Sequence, residues 1–80
     1  MTVRPMSEQS ARKILSIFKA FNIRAGHVLM TRYVDTKFLA SGGSADELKA
    51  GMLYAAQQGW LEVASHGVGL HLTQTGFEEM

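Results

Sequence analysis

Residues 44 to 63, SADELKAGMLYAAQQGWLEV, constrain the fold more than any other part of the chain, because they hold two helix boundaries and a change of period. Ser44 with Glu47 three residues on forms a capping box, in which each side chain satisfies a free amide at a helix start. Leu48, Gly51, Met52 and Ala55 then share one helical arc, with Asp46, Lys49, Ala50, Leu53, Tyr54 and Gln57 opposite, and Gly59 stops the helix after about Gln58. Beyond Gly59 the apolar residues alternate. WLEVA sets Leu61 and Val63 on one face with Trp60, Glu62 and Ala64 on the other, and LHL sets Leu70 and Leu72 together with His71 opposite. The short glycine-containing SHGVG between them fits a hairpin turn, so this region reads as a helix feeding directly into a β-ribbon.

The remaining residues must cover that unit. A domain of 80 residues buries only about 60 to 65% of the surface its unfolded chain exposes. With no cysteine, its stability rests on apolar faces rather than on disulfides or a thiolate metal site. A reducing cytoplasm suits such a chain. Ser7 and Glu8 suit a helix start. From there to about Phe21, Ile14, Ile17, Phe18 and Phe21 fall on one arc that Leu15 widens, while Arg12, Ser16 and Lys19 lie opposite. Gly26 breaks that pattern, and residues 27–30 read as a short edge strand. Thr31 can cap a second helix over about 32–40 with Val34, Phe38 and Tyr33 as its apolar side, and SGGS ends it. Thr73, or Thr75 with Glu78, starts a final short helix. Residues 1–6 read as a flexible arm before a single domain, 7–80. The longest apolar runs fall far short of a membrane span of about 20 residues, and the N-terminus lacks the apolar stretch of a secretory signal.

Charge divides the chain. Residues 1–40 carry seven cations against two carboxylates, net +5, and residues 41–80 one cation against five carboxylates, net −4. Metal and catalytic chemistry find little support. His27, His66 and His71 are the only histidines, and a closed zinc site takes four ligands. No serine or threonine sits in a nucleophile–base pattern, and SGGSADE lacks the lysine of a phosphate-binding loop. We therefore expect no enzyme, no metal site and no cofactor.

The element order is helix, short strand, helix, helix, strand, turn, strand, helix. With ADELKAGMLYAAQQGWLEV entering the hairpin and LTQTG leaving it, this order resembles the winged helix-turn-helix superfamily over about residues 7–78. The resemblance implies an α+β fold with a three-helix core, a short β-hairpin wing and a short C-terminal helix. It also implies a DNA-binding transcriptional regulator whose third helix enters the major groove while the wing touches nearby phosphates. Carried over by position, the reading face is Ser44, Ala45, Lys49, Ala50, Leu53 and Gln57, and the wing tip is Ser65, His66, Gly67 and Val68. The chain departs from a strong DNA reader in having no arginine in the third helix or the wing, and no Lys or Arg at all after Lys49. Phosphate anchors would have to come from Arg24, Arg32 and Lys37, giving weak monomer binding to double-stranded DNA that a homodimer, through the first or the last helix, would strengthen. The alternative is a protein-interaction module that docks a protein partner on the third helix through Leu53, Tyr54 and Ala50, without DNA.

Overall fold

The computed structural model describes residues 6–64 and 67–80. Its elements run α1 (Met6–Ala20), β1 (Val28–Met30), α2 (Thr31–Ala40), α3 (Ala45–Gln57), β2 (Leu61–Ala64), β3 (Gly69–Leu72) and α4 (Gln74–Glu79). This is an α+β arrangement of four helices and one three-stranded antiparallel sheet of order β1-β3-β2. β1 is an edge strand, as expected, and pairs Leu29 with Leu70; β2 pairs Leu61 with Leu72 and Val63 with Leu70.

Three helices end on the same chemistry. In each, a residue in the left-handed region follows the last turn, and the next amide reaches back to a carbonyl five residues earlier. Asn22 (φ 57°) precedes the Ile23 amide donating to Phe18 O at 3.0 Å, Gly42 (φ 95°) precedes Gly43 donating to Phe38 O at 3.1 Å, and Gly59 (φ 75°) precedes Trp60 donating to Ala55 O at 2.8 Å. α1 thus ends at Ala20, close to the expected end at about Phe21, with Asn22 in the left-handed region ahead of Gly26. One consequence is that Phe21 leaves the core arc and stands 38% exposed. At the other end α1 already includes Met6, so Ser7 lies inside the helix rather than capping it.

The core is the inner arc of α1 (Ala11, Ile14, Leu15, Ile17, Phe18) packed with Val34, Phe38, Leu48, Ala55, Trp60 and the inward strand residues Leu29, Leu61, Leu70 and Leu72. The tightest seam lies between α1 and α3. A Cβ added at Gly51 would sit 2.8 Å from the Ser10 carbonyl carbon and 2.9 Å from the Ala11 amide nitrogen. Backbone atoms cannot yield as side-chain ends can, so only glycine lets the two helices approach this closely.

A polar cluster locks the open side of this seam. The Arg12 guanidinium donates to Glu79 at 3.0 Å and to Glu8 at 3.3 Å and lies 5.1 Å from the Trp60 ring centre. Tyr54 donates its hydroxyl to Glu8 at 3.2 Å and meets Trp60 edge-on at 5.6 Å. The hydrogen bond that Arg12 donates to Glu79, then that to Glu8, pushes its pKa above its already high ordinary value. Tyr54, expected on the outer side of α3, is thus partly buried, because its ring reaches round to α1 and Trp60. Trp60, expected with Glu62 on the outer strand face, is buried, since the turn after Gly59 folds it under Arg12.

Two further expectations give way. Val63 shares a sheet face with Leu61 but is 67% exposed. It occupies the edge strand, while Leu70 opposite it sits in the central strand flanked by β1. Tyr33 does not join Val34 and Phe38 in the core and is 44% exposed.

Replacing Gly51 by Ala tests the seam. In an open helix the change gains up to about 1 kcal/mol; here overpacking against backbone should reverse the sign and cost about 1–3 kcal/mol in urea unfolding. An unchanged or raised midpoint would show that the helices do not meet there.

Candidate nucleic-acid interface

Helix α3 is fixed at its start by the anticipated capping box: the Glu47 amide donates to Ser44 Oγ and the Ser44 amide to Glu47 Oε1, both at 3.1 Å. Its inner arc of Leu48, Gly51 and Ala55 is buried, so Lys49, Leu53 and Gln57, four residues apart, form one exposed outer stripe. Asp46 and Ala45 are exposed at its N-terminal end, and Ala50 is half-buried.

The hairpin is tied to the start of α2. Thr31 donates its amide to Val68 O and its hydroxyl to Gly67 O, each at 2.8 Å. Its side chain is therefore not the cap expected for α2, whose cap position is Met30, with no side-chain hydrogen bond. Met30, the last residue of β1, directly precedes this anchor and pairs with Gly69, so β1, the far end of the hairpin and α2 converge at one point. Ser65 and His66, expected at the wing tip, lie outside the described residues.

Between α2 and α3 runs a groove of about 340 Å³ lined by Thr31, Asp35, Ala45, Leu48, Lys49, Met52 and Leu53. Its walls are mainly apolar, and Leu53 at its edge is 57% exposed. Asp35 lies in the same groove as Lys49, so the one cation of α3 shares its surroundings with a carboxylate.

The cations expected to flank α3 do not gather there. Lys37 turns to the other side of α2, where its Nζ lies 6.0 Å from the Phe21 ring centre. Arg24 lines a separate cleft of about 370 Å³ with Lys19, Asn22, Ile23, Phe77 and Met80, between the end of α1 and α4. Arg32, exposed in the first turn of α2, is one residue from the Thr31 anchor, with its guanidinium 5.2 Å from the Tyr33 ring centre. Lys13 donates to Ser41 O at 3.3 Å and covers Phe38 at 5.0 Å. Of the cations singled out from the sequence, Lys49 and Arg32 alone stand on or beside the α2–α3–hairpin surface. Sequence reasoning missed Thr31, Asp35 and Met52 as groove residues, because the facing of α2 toward α3 is a tertiary property.

Among the described residues, no three His, Asp or Glu side chains come together as metal ligands, and no helix is long and apolar enough to cross a membrane. Comparison with family models, with curated proteins and with solved structures yields no match.

Replacing Thr31 by Val removes the hydroxyl bond to Gly67 and should cost about 1 kcal/mol. Amide exchange at residue 31 should quicken in the variant; exchange as slow as in the parent would mean that the hydroxyl does not hold the hairpin.

Proposed function

We propose that this chain is a winged-helix protein that binds duplex DNA weakly through α3, as a small regulator of transcription. The exposed stripe Lys49–Leu53–Gln57 carries this reading: one helix presents an unbroken outer face beside α2, with the hairpin anchored at Thr31. A helix so presented suits a major groove. Gln57 can pair with adenine and Leu53 can meet a thymine methyl, while Lys49 and Arg32 supply phosphate contacts. Support also comes from the strand order, in which β1 flanks a β2–β3 hairpin.

Shape supports this reading more than charge does. With two phosphate contacts per chain, the logarithm of affinity should fall with that of salt at a slope of about 2. A second copy would add contacts. The apolar arc of α1 is used up in the core, so a dimer would form around Phe77 of α4, which is exposed.

A protein partner is the second reading, favoured by the mainly apolar α2–α3 groove with Leu53 at its rim. Apolar surface flanked by few charges suits a protein interface.

Titration into fluorescent duplex DNA tests both. Affinity should fall about tenfold between ~50 and ~200 mM salt, and Lys49→Ala should weaken binding and flatten the slope by about 1. A folded protein that fails to bind duplex at ~50 mM salt would overturn the DNA reading. Capture of a partner that Leu53→Asp abolishes without loss of thermal stability would establish the other.

A further inference from the structure

The cations missing from α3 stand elsewhere with aromatic rings. Phe21, at the end of α1, and Tyr33, in the first turn of α2, have ring centres 6.1 Å apart with planes inclined by 34°. Each ring carries a cation: Arg32 at 5.2 Å from Tyr33 and Lys37 at 6.0 Å from Phe21. All four side chains are exposed. Of the three aromatic rings exposed among the described residues, Phe21, Tyr33 and Phe77, two therefore stand together between two positive charges.

The local fold builds this cluster. The left-handed turn at Asn22 expels Phe21 from the α1 core arc. Tyr33 and Lys37, four residues apart, share the flank of α2 that faces Phe21, while Thr31 and Asp35 share the flank that lines the α3 groove. The single carboxylate of α2 is thereby kept from the aromatic side. From Gln9 to Val34 the sequence contains no Asp or Glu, yet it holds Arg12, Lys13, Lys19, Arg24 and Arg32. The segments that meet at this cluster thus bring positive charge with almost no opposing charge.

We propose that the Phe21–Tyr33–Arg32–Lys37 cluster binds single-stranded nucleic acid, its rings stacking bases and its cations holding the adjacent phosphates. Exposed rings interleaved with cations provide the two contacts that unpaired strands offer and other polyanions lack: flat base faces and a regular phosphate chain. An acidic peptide would satisfy the cations but leave the rings unused. A duplex hides its base faces in the stack. Arg32 serves doubly, since its guanidinium can stack on a base as well as pair with a phosphate. The site lies across α2 from α3 and shares only Arg32 with the role given to that helix.

Fluorescence anisotropy with labelled oligothymidylate of about 20 nucleotides, at ~20 mM salt, provides the test. The full chain should bind it, and the double substitution Phe21→Ser, Tyr33→Ser should weaken binding about tenfold or more. Lys37→Ala should lower the salt slope by about 0.7. An abasic strand of equal length, with the same phosphates and no bases, should bind the unaltered protein about tenfold more weakly, which tests stacking without any substitution. Because Trp60 is buried, its fluorescence reports whether each variant remains folded. Lys49→Ala and Gln57→Ala should leave this binding unchanged, so failure at α3 and failure here are distinguishable. No binding of oligothymidylate, equal binding of the abasic strand, or polyglutamate competing as well as oligothymidylate would each overturn the proposal.

Discussion

The close approach of α1 to α3 at Gly51 is the contact on which the other features depend. It brings two helix backbones together over Ser10 and Ala11, and such a seam excludes water because nothing larger than a hydrogen separates them. With its inner arc against α1, α3 can present only the stripe through Lys49, Leu53 and Gln57. With its own apolar arc spent on that seam and on the sheet, α1 has little left for a partner except Phe21 at its end. The Arg12 cluster closes the seam at its polar side, drawing α4 and Trp60 onto the helix pair and neutralising one of the strongest cations of the basic half.

Charge placement follows from the same packing. Once Val34 and Phe38 point into the core, α2 has two flanks: one with Thr31 and Asp35 toward α3, the other with Tyr33 and Lys37 toward Phe21. Among the described residues, the cations of the first half of the chain are therefore distributed over separate neighbourhoods rather than along one ridge. At physiological salt exposed charges farther apart than about 8 Å act largely alone, so a net charge of +5 in sequence does not become a single strong field at α3. The molecule presents two faces of different character, one a smooth helix stripe with a nearly neutral balance, the other aromatic and basic.

Much of this architecture is legible in the chain because it is local. The Ser44–Glu47 box, the stop at Gly59, the alternation of Leu70 and Leu72 and the Thr73 cap of α4 each depend on residues within a few positions, and each stands where the pattern put it. The misplacements all concern tertiary neighbours. Val63 alternates correctly but lies on an edge strand; Tyr54 has the spacing of an outer residue but a ring long enough to reach Glu8; Thr31 has the chemistry of a cap but finds a carbonyl of the hairpin instead. For the candidate interface, Lys49, Leu53 and Gln57 were recognisable as one outer stripe of α3, with Ser44 as its cap, whereas the turning of Lys37 toward Phe21 depends on which side of α2 packs inward, and no spacing reveals that.

The central claim is that the α1 and α3 backbones touch at Gly51, and a nuclear Overhauser spectrum of the labelled protein tests it most directly. Cross-peaks should join the Gly51 Hα protons to the Ser10 Hβ protons and the Ala11 amide proton, as strong as those between neighbours in one helix. Their absence, with Gly51 instead showing cross-peaks to water or to α2, would contradict the account of how this molecule sorts its surfaces.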